Sequence, residues 1–251
     1  MILVNRIFIL SLLCSVILLT NSIASGQCRY FDGQDDDMYS NYLDMPAWWD
    51  ADKPELTIEF WFRIETSLSA TVYIAQLSDS SGGGWYRLST NGTVFDYSHT
   101  TTVTGYVNPT LSGVTFKTGV WYHLADVYDG KRLCIYINGK LNGAPTACTG
   151  SIRKNAGVGW RLIRFGRFNT AYGNVSIDEA RVWDIGRTEK EIQSNMNFVI
   201  ADNEPHLKLH LTLDEKAGNP FDRTKEKLNK FTTVGTTTKA GCPNIKRIRG
   251  E

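Results

Sequence analysis

The sequence predicts an all-β fold, a sandwich or jelly roll, and three observations carry that prediction. Leu56 to Glu65 alternates without a break for ten residues, with Leu56, Ile58, Phe60, Phe62 and Ile64 on one face and Thr57, Glu59, Trp61, Arg63 and Glu65 on the other. A helix would scatter those apolar residues around its circumference, so the period of two marks a half-buried strand. Short β-rich runs recur at Thr71–Leu77, Gly84–Ser89, Thr93–Ser98, Val120–Tyr128, Arg132–Ile137, Leu162–Phe168, Val175–Trp183 and Leu207–Leu213. Between them stand Asn91-Gly92, Asp129-Gly130 and Asn138-Gly139, residue pairs that supply the positive φ angles of tight hairpins. Many short strands joined by such turns make a sandwich or a jelly roll.

Taken in chain order, the first residues set the compartment. Arg6 is the one charge of the opening, Ile7 to Leu19 is almost wholly apolar, and Ser22, Ala24, Ser25 and Gly26 follow. This is the order of a secretory signal peptide, with cleavage after Ala24 or Gly26, the latter preferred. The apolar run falls short of the ~20 residues of a membrane span. The expected organisation is a leader over 1–26, one domain over 27–242 and a basic tail over 243–251, giving a secreted chain that does not span a membrane. The leader takes away Arg6 and no acid, so the 27 basic residues become 26 against 26 acidic ones. That balance gives no support to a nucleic-acid or membrane-surface binder driven by bulk charge.

Cys14 leaves with the leader, and Cys28, Cys134, Cys148 and Cys242 form an even set in an oxidising compartment. Two disulfides are expected, and four cysteines allow three pairings among which sequence alone does not choose. The local argument favours Cys134–Cys148, which flank the turns at Asn138-Gly139 and Ala144-Pro145, and leaves Cys28–Cys242 to join the domain's ends. In Arg132–Ile137 the phase of Leu133, Ile135 and Ile137 points Cys134 away from the core, where it can meet a loop cysteine. No cysteine lies in a CxxC pair or at zinc spacing. Thr188-Glu189-Lys190-Glu191 is a capping box and predicts a short helix over Glu189–Met196, packed down through Ile192 and Met196.

Five segments then resemble the laminin-G-like domains of the concanavalin A-like superfamily. They are Tyr30-Phe31-Asp32-Gly33-Gln34-Asp35-Asp36, then Leu56 to Phe62, and the block Trp121-Tyr122-His123-Leu124-Ala125 with Tyr128-Asp129-Gly130 and Tyr136-Ile137-Asn138-Gly139. Ile177-Asp178-Glu179-Ala180-Arg181-Val182-Trp183 follows, and Leu209 to Glu215 with Gly218 and Asp222 closes the set. The last segment often opens such domains, whereas here it comes late. The resemblance runs from about residue 30 to 225. It implies a jelly roll of two curved antiparallel sheets and an extracellular recognition module for glycan, proteoglycan or protein, some of which hold calcium.

Acidic oxygens suit calcium. Asp32, Asp35, Asp36 and Asp37 crowd the opening turn, and at Asp178 the phase of the last strand changes, which predicts a bulge. The resemblance implies a structural calcium joining the first and last strands, held by Asp32 and Asp178. Aromatic residues beside loop glycines suit a recognition surface. Trp85, Tyr86 and Trp160 lead these candidates, with Tyr97, Tyr106 and Tyr172 behind them. Asn91 and Asn174 stand in N-glycosylation sequons. A glycoside hydrolase would need two carboxylates about the scissile bond, and the E-x-D-x-x-E strand of the superfamily's hydrolases is absent. The reading is therefore a non-catalytic secreted binder of extracellular glycan or matrix protein. The alternatives are a structural component of an extracellular matrix, mineralised or not, and a divergent glycoside hydrolase. The sequence carries no indication of oligomeric state.

Overall fold

The computed structural model describes residues 26–40, 51–66, 71–78, 84–91, 94–108, 110–112, 114–152, 162–168, 170–224, 231–243 and 245–247. Two antiparallel sheets face each other. The first runs β11 (Lys140–Ala147), β10 (Arg132–Ile137), β9 (Trp121–Tyr128), β3 (Leu56–Ile64), β15 (Asn174–Trp183), β1 (Cys28–Asp32), β19 (Thr237–Lys239), and β17 (Leu207–Leu211) also pairs with β15. The second runs β18 (Phe231–Val234), β2 (Asp37–Ser40), β12 (Leu162–Phe165), β4 (Val72–Ser78), β5 (Gly84–Thr90), β6 (Val94–Thr101), β7 (Gly105–Val107), with β8 (Thr110–Ser112) also on β6. Sequence neighbours β9, β10 and β11 form a meander, whereas β3 lies between β9 and β15, so the sheets are stitched by long connections as a jelly roll requires.

Two of the predicted turns, Asp129-Gly130 and Asn138-Gly139, are where hairpins close, and Gly92 of the third lies outside the described residues. Asn138 (φ 51°) and Gly139 (φ 75°) both take the left-handed conformation that a two-residue turn between β10 and β11 demands. Leu56, Ile58, Phe60, Phe62 and Ile64 all enter the main core, with Phe31, Met38, Leu88, Tyr97, Ile163, Phe165 and Leu209 among their neighbours. Tyr97, expected on a recognition surface, is one of these interior rings and is 1 % exposed.

The strand expected to be half-buried is buried on both faces. Thr57 and Glu59 are as inaccessible as Phe60, because helix α1 (Glu189–Asn195) and its flanking loops cover the outer side of the first sheet. Trp61 Nε1 donates to the carbonyl of Met196 at 2.7 Å, which ties the end of that helix to β3. The capping box is formed: Thr188 Oγ1 accepts from Glu191 N, and Glu191 Oε2 accepts from Thr188 N at 2.7 Å.

One disulfide joins Cys28 to Cys242. The expected Cys134–Cys148 bond is not formed, and both cysteines are free and buried. The reason is strand phase. Cys148 lies opposite Lys131, to whose carbonyl its N–H donates at 2.9 Å, and its side chain joins Leu133 in the main core. Cys134 projects from the other face, as expected, but there α1 covers it through Ile192, with Ala125 and Val127 alongside. Sulfurs on opposite faces of a sheet cannot reach bonding distance. Among the described residues no helix is long and apolar enough to cross a membrane. Residues 1–25 of the expected leader lie outside the described residues, as does the end of the basic tail beyond 247.

Candidate functional site

The first sheet has its irregularity where the sequence predicts it. Along β15, the register with β3 shifts between Asp178 and Arg181, and Glu179 takes φ 49°. The bulge divides the opposite side of β15 between two partners: β1 pairs with Asn174–Ile177, and β17 pairs with Ala180–Trp183. The chain entering β1 and the chain leaving β17 therefore meet beside Asp178. A cavity of about 90 Å³ opens there, lined by Gly26, Asp178, Glu179, Asp214, Pro243 and Ile245 among others. Asp178 is 3 % exposed and its Oδ1 has no hydrogen-bond partner. Burial, with Glu179 and Asp214 as charged neighbours, raises its carboxyl well above the usual range.

Glu179 is held differently. Its Oε2 accepts from Arg181 Nη2 at 2.8 Å and lies 3.1 Å from His210 Nε2. Glu59, on β3, accepts from Arg187 Nη1 at 2.8 Å and from Trp183 Nε1 at 3.0 Å, with Arg181 at 3.5 Å and His123 at 3.8 Å. Burial opposes the charge of both carboxylates, but the guanidinium groups and the hydrogen bonds they receive outweigh it and keep both below the usual range. Glu59 is a locked acceptor under the outer cover of the first sheet, and Glu179, which lines the cavity, is held by Arg181 and His210. His123, in turn, is driven down to about 4, first by burial.

The second sheet's outer face has no helix over it among the described residues. Its register lines up Tyr39, Arg164, Gln76, Arg87 and Ser98 on five successive strands, each directly opposite the next. Their neighbours Met38, Ile163, Leu88 and Tyr97 point inward, so this row is the outward phase. Arg164 lies over the ring of Tyr39 at 5.7 Å and its Nε is 3.0 Å from Asp37. Gln76 and Ser98 are 2 % exposed, so the groups of this row that a polyol can reach are the half-buried guanidinium groups of Arg164 and Arg87 and the ring and hydroxyl of Tyr39. The runs that became β4, β5, β6 and β12 were visible in sequence, but β2 and the lateral order of the strands were not, so this row could not be found from the sequence.

The structure separates the two expected calcium ligands. Asp32 pairs with Asn174 across the sheet, four residues down β15 from Asp178. At ~3.3 Å per residue that is roughly 13 Å, too far for one ion. The carboxylates of Asp32, Asp35 and Asp36 do converge, with ligand atoms within 4.8 Å of one another. Much of this acid serves the turn itself: Asp36 Oδ2 accepts from the N–H groups of Asp32 and Gly33, and Asp32 Oδ1 from that of Gln34 at 2.9 Å. Burial, with Asp32 beside it, raises Asp36 to about 6. These hard oxygens fit calcium in kind, with two of them already committed to backbone.

Trp85 and Tyr86 lie on β5. Tyr86 pairs with Leu77 and His99, and Trp85 is the extra residue where the β4–β5 register shifts. Their side chains, and the whole of Trp160, lie outside the described residues. Tyr106 is exposed, and Tyr172 is half-buried with Arg167 over its ring at 5.0 Å. Asn91 is exposed at the end of β5. Asn174 is half-buried in the sheet, its Oδ1 out of solvent and its carbonyl accepting from Glu65 N at 3.1 Å.

Residues 35–193 match the laminin G family Laminin_G_3 of the concanavalin A-like lectin/glucanases superfamily, so the chain belongs to that family. Among solved structures, the fold is similar to a Bacteroides ovatus protein provisionally assigned to carbohydrate binding, at 19 % identity and a TM-score of 0.66. That match covers 87 % of this chain and 61 % of the other, so the chain spans about three fifths of its relative's length. It is also similar to the native heptameric SAP-like pentraxin of Limulus polyphemus, at 14 % identity and a TM-score of 0.55, covering 86 % and 95 % of the two chains. No curated protein sequence matches it.

Proposed function

We propose that this chain is a secreted, non-catalytic module that binds extracellular glycan on the outer face of its second sheet. Membership of a lectin and glucanase superfamily and likeness to a provisionally carbohydrate-binding structure support the ligand class. The observation that carries the reading is the half-buried set Tyr39, Arg164 and Arg87, aligned on the outward phase of the sheet opposite α1, with Gln76 and Ser98 buried between and beside them. The non-catalytic part rests on Glu59 and Glu179, whose carboxylates are spent on Arg187, Arg181 and His210 rather than spaced about a cleft. Of the two sequons, exposed Asn91 is the one suited to carry a glycan of its own.

The test is a glycan array probed with the whole secreted chain, in calcium and again in EDTA, beside Arg87→Ala and Arg164→Ala. The expected result is saturable binding to a restricted glycan set, weakened at least about tenfold by either variant, the scale of a lost charge-assisted hydrogen bond. Binding unaffected by both variants would remove the ligand from this face. No binding to any glycan would overturn the ligand class in favour of a matrix protein. Loss in EDTA would make calcium at the Asp32, Asp35 and Asp36 turn part of the site, and persistence would discard it.

A further inference from the structure

A cavity of about 510 Å³ opens on the outer side of the first sheet, between α1 and the turn that precedes β17. Its floor is Trp183, Ile185 and Arg187, where β15 ends and the chain turns into the helix. From α1 come Lys190, Ser194 and Asn195, and from the turn come Glu204, Pro205 and His206. The capping box closes the first turn of α1 and uses the Glu191 carboxylate, so this wall offers side chains and not a helix end. Arg187 is almost inaccessible, yet its bonds do not use the whole guanidinium. Nη1 donates to Glu59 and Nη2 to the carbonyl of Glu191, whereas Nε donates to no described residue. Further N–H groups remain on both Nη atoms. Among the described residues, neither the ammonium of Lys190 nor the carboxylate of Glu204 has an ion-pair or hydrogen-bond partner.

The turn wall carries a strained residue. His206 takes φ 69°, in the left-handed region that a residue with a Cβ enters only at a cost. Its ring Nδ1 lies 2.8 Å from Asp184 Oδ1, and the backbone N–H of Asp184 donates to the His206 carbonyl at 3.0 Å. The other oxygen of Asp184 takes Lys208 at 2.9 Å. A carboxylate on Nδ1 draws the ring proton there and leaves Nε2 as an acceptor. Backbone strain kept in place by its surroundings is typical of a site that must aim a side chain. The cavity thus has donors on one side, Arg187 and Lys190, and acceptors on the other, Glu204 and His206. Trp183, Ile185 and Pro205 supply apolar surface between them.

This arrangement suits a molecule with a carboxylate at one end, an ammonium at the other and an apolar body. A compact cavity of that volume is roughly 8 Å across, the span of about two extended residues at ~3.3–3.6 Å each. We propose that it binds a short peptide with both termini free. The peptide's carboxylate meets Arg187 and Lys190, its ammonium meets Glu204 and Nε2 of His206, and its apolar side chains lie on Trp183, Ile185 and Pro205. A single amino acid holds its two charges too close together to reach both sides. A neutral saccharide would leave Lys190 and Glu204 uncompensated. The site is therefore separate from the row on the second sheet and rests on no part of the glycan reading.

The experiment titrates the whole chain calorimetrically with leucyl-leucine, leucyl-alanine and alanyl-leucine. Each is also used with its amine acetylated or its carboxylate amidated, and leucine alone is the size control. The expected result is saturable binding of at least one free dipeptide, weakened at least about tenfold by capping either end, the scale of a lost charge-assisted hydrogen bond. Glu204→Gln should weaken the free dipeptide and leave the acetylated one unchanged. Lys190→Gln should do the same for the free and amidated forms, a pattern that a general loss of structure does not give. Lys190 is exposed and Glu204 half-buried, and neither has a described partner to lose, so both variants should fold, as circular dichroism checks. His206→Gly, relieved of its backbone strain, should melt no lower than wild type and yet bind more weakly. Absence of saturable binding by every free dipeptide overturns the proposal. So does binding indifferent to both caps, or leucine binding as tightly as the dipeptides. Equal weakening of free and capped ligand by Glu204→Gln or Lys190→Gln also overturns it, because that side chain would not be meeting that terminus. His206→Gly binding as wild type does overturns the imidazole's place in the site.

Discussion

Glu59 Oε1 and Arg187 Nη1 meet at 2.8 Å, and neither side chain is more than 4 % exposed. A buried ion pair of this kind contributes little over an apolar pair of equal size, but removing one partner strands the other without water. Arg187 also lies over the ring of Trp183 at 4.0 Å and donates from Nη2 to the carbonyl of Glu191 in α1. It therefore joins β3, β15 and the helix. Arg187→Ala is expected to lower unfolding free energy by about 3–5 kcal/mol, measured by urea titration. A loss below about 1 kcal/mol, the range of an exposed pair, would mean that Arg181 alone compensates Glu59.

The helix itself should be less costly to disturb. Thr188 Oγ1 accepts from Glu191 N, and the cap is solvent-exposed. Thr188→Ala is expected to cost about 1 kcal/mol, with the lost helicity confined to one seven-residue element. The check is a shift in denaturant midpoint at unchanged slope. A changed slope would mean that α1 detaches and exposes the face it covers.

The alternation of β3 and the Asn-Gly turn at 138–139 made the strands and their hairpins legible, because both are local effects of backbone geometry. The bulge at Asp178 was legible for the same reason, as a change of phase within one strand. What lay beyond the sequence was lateral: which strand borders which. Asp32 and Asp178 looked like partners until the register put Asp32 opposite Asn174. Cys134 and Cys148 looked like a hairpin disulfide until Cys148 turned out to share the inner phase of Leu133. Glu59 alternated as a surface residue, and only the return of α1 across the first sheet buried it. The row of Tyr39, Arg164, Gln76 and Arg87 draws on four strands scattered from residue 39 to 164, a spacing no local pattern records.

His123 should impose a pH dependence of definite sign. Burial lowers it to about 4, Glu59 opposes that, and Arg181 and Arg187 reinforce it. In the unfolded chain the ring titrates near 6.5. Between those values the unfolded state holds the extra proton, so this group's contribution to stability is full above ~6.5 and lost as pH falls toward 4. Asp36 and Asp178 act in the opposite sense, since their raised carboxyls favour the folded state as pH falls. The separable quantity is the difference between wild type and His123→Gln. It should change by on the order of 3 kcal/mol across that window, with the wild type losing ground on the acid side. A difference independent of pH would mean that the ring titrates alike in both states.

The cysteines give the last expectation, because the structure assigns them two different chemistries. The Cys28–Cys242 bond spans 214 residues of sequence, and in the chain-entropy view closing so long a loop restricts the unfolded state by on the order of 5 kcal/mol. Cys134 and Cys148 are thiols on opposite faces of the first sheet, each buried, and burial raises both, Cys148 to about 11. A thiol that high and that enclosed offers little thiolate at neutral pH. Ellman titration of the processed chain should therefore find almost no reactive thiol in the native state and two after unfolding in urea without reductant. Zero in both states would restore a second disulfide and require the Cys148 end of β11 to shift by one residue, exchanging its inner phase for that of Cys134. Selective loss of the first bond, as Cys28→Ser with Cys242→Ser, should lower stability by about 2–5 kcal/mol without changing that thiol count. A count that rises to four in the wild type under the same conditions would show that the two ends are not joined.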